Sequence, residues 1–139
     1  MDAASKRPVP MPDPDSLPFW QAAGEGRLVI QQCAACGQPS FPPRPVCRRC
    51  HGDELGWTAV SGEGEVSSYA VARMNFVSGF AAPYVAAWVR LREFPSVQLN
   101  ADIVRCDAEA VHVGMPVEVC FENRGDGIAV PQFRPSASR

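Results

Sequence analysis

Four of the six cysteines form two Cys-x-x-Cys pairs that lie close together in the chain. The pairs are Cys33 with Cys36 and Cys47 with Cys50, and ten residues separate them. Two such pairs supply the four thiolates that enclose one tetrahedral metal ion. A single pair would also suit a thioredoxin-like redox centre, but two pairs at this short separation favour a metal. The sequence therefore predicts a short zinc ribbon, and iron is the alternative metal for the same four sulfurs.

The metal is expected to be structural, with one zinc ion per chain. Four thiolates leave no ligand position open for water or substrate, so Lewis-acid catalysis is excluded. Substitution of Cys47 is expected to unfold the ribbon and leave the rest of the chain folded. His51 follows Cys50 and is expected to be solvated rather than a ligand, and the isolated residues Cys106 and Cys120 are expected in the core.

Few other residues could carry out catalysis. Lys6 is the only lysine and lies in a proline-rich segment, which excludes Schiff-base chemistry on the folded part of the chain. The second histidine, His112, alternates with valines and is predicted to be structural. The sequence contains no nucleophile elbow, P-loop or His-Glu-x-x-His motif. We therefore predict a protein without an active site of its own.

Composition narrows the class of protein further. The 139 residues are 46% hydrophobic and 20% charged, which is typical of a packed globular chain. The net charge of −2 lacks the basic excess of a typical nucleic-acid-binding protein. No apolar run approaches the roughly 18 residues of a membrane-spanning helix, and the N-terminus lacks the apolar segment of a signal peptide. We expect a cytoplasmic protein that binds neither membranes nor nucleic acid.

The elements that position the cysteines begin after a proline-rich segment, residues 1–15, which is predicted to be a flexible tail. Ser16 is predicted to cap a short helix that has Pro18 in its first turn and ends at Gly24 and Gly26. Phe19 and Trp20 form the apolar side of this helix. They either cover the core or dock a partner protein, and the sequence does not decide between these two roles.

The remaining chain is predicted to be mainly β. Residues 28–30 form a strand leading into the first cysteine pair, and the stiff residues 41–45 bring the second pair back to it. Alternating patterns then predict five strands, at residues 65–74, 84–92, 97–104, 117–122 and 128–133. A helical turn at 107–110 follows the third strand, and a Gly-Asp-Gly turn joins the last two. This order predicts an OB-fold barrel, with domain bounds 16–58 for helix and ribbon, 59–135 for the barrel and 136–139 for a tail.

Ten short motifs occur in a specific order along nearly the whole chain. They are Phe19-Trp20, Gly26-Arg27-Leu28, residues 32–37, Pro42-Pro43-Arg44, residues 47–50, residues 62–66, Ser68-Tyr69, Pro83-Tyr84-Val85, residues 114–117 and Phe133-Arg134-Pro135. With these motifs the chain resembles the acyl-CoA-associated family that joins a rubredoxin-like zinc ribbon to an OB-fold, long known as a domain of unknown function. Arg48 stands where such ribbons often have proline, but all four ligands are present.

The resemblance implies a non-catalytic small subunit that docks on a thiolase-superfamily enzyme. In such complexes the partner carries the nucleophile, and its reaction is thiolysis, acyl transfer, retro-aldol removal of a steroid side chain, or hydration in some relatives. The small subunit is expected to help form the acyl-CoA channel, so a coenzyme A thioester is the expected ligand of the complex. Two small subunits per partner dimer is the stoichiometry that the resemblance implies.

Candidate contact residues fall into three groups. Arginines near the ribbon and first long strand could bind the phosphates of coenzyme A, and they are Arg44, Arg48, Arg49 and Arg73. Phe76 and Phe80 lie in a long apolar loop and could line the acyl path. Tyr84 and Trp88 lie on the outward row of a barrel strand and could dock the partner, although Trp88 could instead pack under the ribbon or helix.

Two other functions remain open at this stage. OB-folds and zinc ribbons also bind single-stranded nucleic acid, but one lysine and a net charge of −2 give little electrostatic drive for it. A redox protein that uses the cysteine pairs is the third hypothesis. Zinc loss coupled to reversible disulfide formation would support that hypothesis.

Overall fold

The structure, a computed structural model, describes residues 8–75, 81–125 and 127–136. These residues form one α-helix, α1 (Leu17–Gly24), and a 3-10 helix (Ala108–Ala110). The strands of the ribbon are β1 (Leu28–Cys33), β2 (Pro39–Ser40) and β3 (Leu55–Val60). The remaining strands are β4 (Glu63–Ala72), β5 (Tyr84–Leu91), β6 (Gln98–Ile103), β7 (Pro116–Asn123) and β8 (Ala129–Pro135). Within the described ranges, no helix is long and apolar enough to cross a membrane.

Helix α1 begins and ends close to the predicted residues, but the hydrogen bonds at its start differ from the predicted side-chain cap. Ser16 occupies the N-cap position without capping the helix through its side chain. Instead its N–H donates to the Asp13 carboxylate at 2.8 Å, and its hydroxyl accepts from the Asp13 N–H at 3.1 Å. The Ser16 N–H holds the pKa of Asp13 below its ordinary value. At the other end Gly26 has a φ of 79°, the left-handed conformation that turns the chain into β1.

The ribbon is a three-stranded antiparallel sheet in the order β2-β1-β3. Leu28 pairs with Val60 and Cys33 with Leu55, while Gln31 pairs with Ser40 on the other side. The sequence predicted only the first half of β1 in this sheet. Strand β2 has two residues, and β3 carries a glycine and no clear alternation, so neither has a local pattern that would identify it.

Strands β4 to β8 close into a barrel in the order β4-β5-β6-β8-β7, and β7 pairs back with β4. All neighbours are antiparallel except β6 and β8, which run parallel where Ile103 pairs with Phe133. Five strands in this order, with a short helix after the third, form an OB-fold. The predicted mainly β fold is confirmed, and each predicted barrel strand begins and ends within two residues of the observed one.

One hydrophobic core joins the barrel to the ribbon. The alternate side chains of β5 that face the barrel interior are buried, as the alternation in the sequence predicted. Val66 and Phe133 are fully buried in the same core. The same cluster includes Phe19 of α1 and Leu28 and Ile30 of β1. Burying a side chain of this size contributes about 1.5–3 kcal/mol, so α1 and β1 add stability to the barrel. The predicted boundary between residues 58 and 59 stays a prediction.

Gly64 allows β4 to lie close to β5, and replacing it tests this packing. A Cβ at this position would overlap the carbonyl oxygen of Arg90 and lie 3.0 Å from a methyl group of Val89. We predict that Gly64→Ala lowers the free energy of unfolding by about 1–3 kcal/mol, the usual cost of overpacking. Urea denaturation measures this change.

Gly56→Ala is the matched control, because Gly56 also lies in a strand and a Cβ there meets only a carbonyl oxygen at 4.0 Å. Its stability should stay within about 0.5 kcal/mol of the parent chain. Equal losses for the two variants would show that the close approach of β4 to β5 is not what requires glycine.

Candidate metal centre

The four cysteines of the two pairs converge on one point. Their Sγ atoms all lie within 4.8 Å of one another. Between the two pairs, the sulfurs of Cys33 and Cys50 lie 3.6 Å apart, and so do those of Cys36 and Cys47. Zinc–sulfur bonds of about 2.3 Å in a tetrahedron place the sulfurs about 3.8 Å apart. The donor set therefore fits a four-thiolate zinc ion.

The two cysteine pairs lie on turns of the same construction. The N–H of Gly37 donates to the carbonyl oxygen of Cys33 at 2.8 Å, and the N–H of His51 donates to that of Cys47 at 2.9 Å. The residue after each pair has a positive φ, 80° at Gly37 and 63° at His51. Glycine adopts this conformation without strain, whereas histidine does so at a cost. The His51 side chain is exposed, as the sequence predicted.

Backbone N–H groups of the second turn point at the sulfurs. Those of Arg49 and Cys50 lie 3.3 and 3.5 Å from Cys47 Sγ, and that of Gly52 lies 3.4 Å from Cys50 Sγ. The N–H groups of Cys50 and Arg49 lower the pKa of Cys47 to about 6. The N–H of Gly52 acts to lower the pKa of Cys50, but the Cys33 thiol and burial outweigh it and raise this pKa to about 11. A bound divalent cation favours the thiolate form of every ligand.

The ribbon packs against α1 through a cluster of three aromatic rings, two from α1 and one from the segment that follows β2. Phe19 contacts Trp20 edge-on, with 5.1 Å between ring centroids, and contacts Phe41 with 5.3 Å between centroids. Phe19 is only 4% exposed, while Trp20 and Phe41 are partly buried against the same core. Of the two roles left open for Phe19 and Trp20, this packing favours covering the core.

The predicted arginines lie in different electrostatic environments. Arg44, Arg48 and Arg49 are exposed and form no ion pair with any residue that the structure describes. Arg73 is also exposed, but its guanidinium lies 2.6 Å from the Glu109 carboxylate. The structure therefore brings the first three together on the second turn and its approach, and it places Arg73 elsewhere.

The aromatic candidates separate in the same way. Trp88 is 46% exposed on the outer face of β5, where its cross-strand neighbours are Ser68 and Asn100. Tyr84 lies at the start of the same outward row and is half-buried. Nearly half of the Trp88 side chain is open to solvent, so the ribbon and the helix do not enclose it. Phe76 and Phe80 lie outside the described residues.

The two isolated cysteines are not fully buried, which corrects the expectation that both belong to the core. Cys106 is partly buried against the core, and Cys120 lies on the outward row of β7 with Glu118 and Glu122. Burial raises the pKa of both thiols. The apolar neighbours of Cys120 in the sequence are Val119 and Phe121, and alternation along β7 turns those two inward instead.

Sequence reasoning missed two features. The first is Gln31, a buried residue of β1 whose side-chain amide bonds both backbone groups of Arg44. A glutamine within an apolar strand, close to a proline-rich segment, was the available signal. The second is a groove of about 630 Å³ where β4, β5 and β7 meet. Its arginines already pair within the groove, Arg90 with Glu65 at 3.7 Å and Arg92 with Glu63.

Comparison with protein families identifies this combination. Residues 20–56 match the family model described as ChsH2, rubredoxin-like zinc ribbon domain. Residues 57–122 match the model described as ChsH2, C-terminal OB-fold domain. The chain belongs to the ChsH2 (DUF35) family. The zinc ribbon and OB-fold predicted from the cysteine spacing and the strand pattern are thus confirmed, and the four cysteines lie in the matched ribbon at positions that would hold its metal.

Three similar proteins show where ChsH2-type chains occur. The chain is 35% identical over 130 residues to a probable enoyl-CoA hydratase alpha subunit of Thermomonospora curvata, covering 94% of this chain but only 40% of that relative. It is 29% identical over 114 residues to the benzoylsuccinyl-CoA thiolase subunit BbsA of Geobacter metallireducens, covering 79% of this chain and 77% of BbsA.

The third similar protein has a solved structure, the Ltp2-ChsH2(DUF35) aldolase. Its matching chain is 34% identical, with a TM-score of 0.83 over 91% of this chain and 98% of that one. The whole ribbon-and-barrel arrangement is therefore shared with a ChsH2 chain. The longer hydratase subunit shows that the arrangement also occurs as part of a larger polypeptide.

Cys47→Ser tests the metal centre, because Cys47 is a fully buried ligand. Metal binding contributes about 10 kcal/mol to the folding of small zinc modules, so we predict loss of the stoichiometric zinc and protease cleavage within the ribbon. Circular dichroism should still show a folded barrel, with a lower melting temperature because α1 and β1 no longer stabilise it. Elemental analysis measures the zinc.

Cys120→Ser is the control, since Cys120 lies outside the ribbon and should leave the zinc content at one ion per chain. Complete unfolding of Cys47→Ser would contradict the division into two modules. Retention of tightly bound zinc by Cys47→Ser would contradict the ligand assignment.

Proposed function

We propose that this chain is a non-catalytic, zinc-binding OB-fold subunit that docks on a thiolase-superfamily enzyme and helps form its acyl-CoA channel. The observation that carries the proposal is the match of the ribbon and barrel, over 98% of the matched chain, to ChsH2(DUF35) in an aldolase with Ltp2. The similarity to a subunit of benzoylsuccinyl-CoA thiolase supports a thiolase-type partner.

The side chains of the described residues support an auxiliary role. The ribbon thiols form the metal set, and burial raises the pKa of Cys106 and Cys120 above that of an ordinary thiol. A nucleophilic thiol needs the opposite shift. Both histidines are exposed, and the polar contact of His112 is with a backbone carbonyl oxygen at 3.1 Å. The nucleophile and the acid–base groups are therefore assigned to the partner.

The outer face of β5 is proposed as the docking surface. Trp88 lies between two smaller polar residues on the adjacent strands, Ser68 and Asn100. Its indole ring therefore extends further from the sheet than the side chains on either side of it. A partly exposed tryptophan at such a position is the type of residue that dominates binding energy in protein interfaces. Tyr84 on the same row extends this surface.

We predict that the purified chain binds a thiolase-superfamily protein from its own host and that Trp88→Ala weakens this binding. Loss of a buried interface tryptophan costs about 2 kcal/mol or more, which corresponds to at least a tenfold rise in Kd by titration calorimetry. Val113→Ala is the control, because Val113 is also exposed but lies on the connection before β7. Equal affinities for all three proteins would exclude Trp88 from the interface, and capture of no such enzyme would contradict the proposed function.

The arginines of the ribbon are proposed to contact the phosphates of coenzyme A. The described residues include six arginines that pair with glutamates of the same chain, and they are Arg27, Arg73, Arg90, Arg92, Arg124 and Arg134. Arg44, Arg48 and Arg49 have no such partner, so the positive charge of the ribbon remains available to an anion. Arg73 would first have to leave Glu109. Phe76 and Phe80 remain candidates for the acyl path.

Arg44→Ala is predicted to raise the KM of the complex for its acyl-CoA about tenfold while leaving kcat nearly unchanged, since one charge-assisted contact contributes about 1.5–3 kcal/mol. Arg27→Ala is the control, because Arg27 is also exposed but pairs with Glu25. Steady-state kinetics of the reconstituted complex measures both values. An unchanged KM for Arg44→Ala would remove Arg44 from the coenzyme A site without affecting the docking proposal.

We further propose a cytoplasmic complex with two copies of this chain on a partner dimer.

Binding of single-stranded nucleic acid is the alternative function. The face of an OB-fold that usually binds oligonucleotides comprises its second and third strands, here β5 and β6. That face carries Asp102, which pairs with Ala86 of β5, whereas three exposed arginines without an ion pair among the described residues lie on the ribbon. This charge distribution favours the acyl-CoA proposal.

A further inference from the structure

The segment that carries the second cysteine pair back to the first cannot extend the ribbon sheet. Positions 42, 43 and 45 are prolines, so Arg44 supplies the only backbone N–H between residues 42 and 45. A strand ladder needs a donor at alternate residues on the paired edge. We call residues 41–46 the proline arm. Its position relative to β1 must therefore depend on contacts other than a regular ladder.

A side chain of β1 provides one such contact. The Nε2 group of Gln31 donates to the carbonyl oxygen of Arg44 at 3.0 Å, and the N–H of Arg44 donates to Gln31 Oε1 at 2.9 Å. Gln31 is only 4% exposed, so both bonds are shielded from water. The amide side chain thus reproduces, at one position, the paired hydrogen bonds that a neighbouring strand would have made.

We propose that Gln31 is a positioning residue for the metal centre, acting through the proline arm. Gln31 precedes the ligand Cys33 by two residues, and Arg44 precedes the ligand Cys47 by three. The bonds of Gln31 to Arg44 therefore hold the two cysteine pairs at a fixed separation. Within the part of the chain that the structure describes, the hydrogen bonds of the Gln31 side chain go to Arg44 and not to a ligand sulfur, so its effect on the metal arises from preorganisation of the ligands.

The neighbouring glutamine completes this arrangement on the other side of β1. Gln32 donates from Nε2 to the carbonyl oxygen of Gly37 at 3.0 Å and accepts from the Thr58 hydroxyl at 2.7 Å. The first cysteine turn is thus tied to β1 and β3, while Gln31 ties in the second. Because the metal and the Gln31 bonds close the same part of the chain, each must strengthen the other by an equal factor.

The first test is zinc affinity of the full chain, measured by competition with a chromophoric chelator. Gln31→Met keeps the volume of the side chain and removes both hydrogen bonds, and we expect zinc to bind about 10–100-fold more weakly, as for other residues that position metal ligands. Gln132→Met is the control, because Gln132 is also a buried strand glutamine, bonded to Glu122 in the barrel. Its zinc affinity should equal that of the parent chain even if its melting temperature falls.

The second test is hydrogen exchange at the Arg44 amide, followed by NMR in the zinc-loaded chain. We expect protection in the parent chain, rapid exchange in Gln31→Met, and faster exchange in the parent chain once zinc is removed. Gln31→Glu keeps an acceptor for this amide but sets a charged oxygen against the Arg44 carbonyl oxygen, so we expect a zinc affinity no higher than that of Gln31→Met. Circular dichroism of each zinc-loaded variant separates loss of the bonds from loss of folding.

A zinc affinity of Gln31→Met within twofold of the parent value would overturn the proposal. So would an Arg44 amide that stays protected in this variant. Neither measurement involves a partner enzyme or acyl-CoA, so the positioning role and the proposed function can fail independently.

Discussion

Convergence of four sulfurs within a short segment is the constraint on which the ribbon depends. Three short strands, one of only two residues, cannot bury enough apolar surface to fold alone. The metal supplies the missing stabilisation, and it does so only if both cysteine turns reach the same point. The rest of the ribbon serves this requirement, including the left-handed residues after each pair and the aromatic support from α1.

The features predicted correctly from the sequence are those in which residue type and spacing carry the information. Metal ligation depends on cysteine spacing, and β5 shows a strict alternation whose inward residues are all buried. The outward position of Cys120 follows from the alternation along β7, so it could have been predicted from the sequence. Strand β2 and the contact of Gln31 depend instead on pairing between separate segments, and two residues are too few to show a pattern.

The charged and aromatic side chains show which parts of the surface already have partners within the same chain. The groove between β4, β5 and β7 contains paired opposite charges, so its electrostatics are balanced without a ligand. Two other surfaces differ from this groove. The second cysteine turn carries guanidinium groups that form no ion pair among the described residues, and the outer face of β5 carries a half-exposed indole ring. The proposed function assigns one of these two surfaces to the anionic substrate and the other to the enzyme.

The four cysteines of the metal site are buried to different extents, so exchange of the metal ion should start at the most exposed of them. Cys33 and Cys47 are buried, Cys36 is intermediate and Cys50 is exposed. A competing ligand has to enter the coordination sphere from the solvent side, so the Cys50 sulfur is the first that it can displace. Demetallation by chelators and attack by oxidants would therefore begin at the same thiolate, the one that this chain leaves open to solvent.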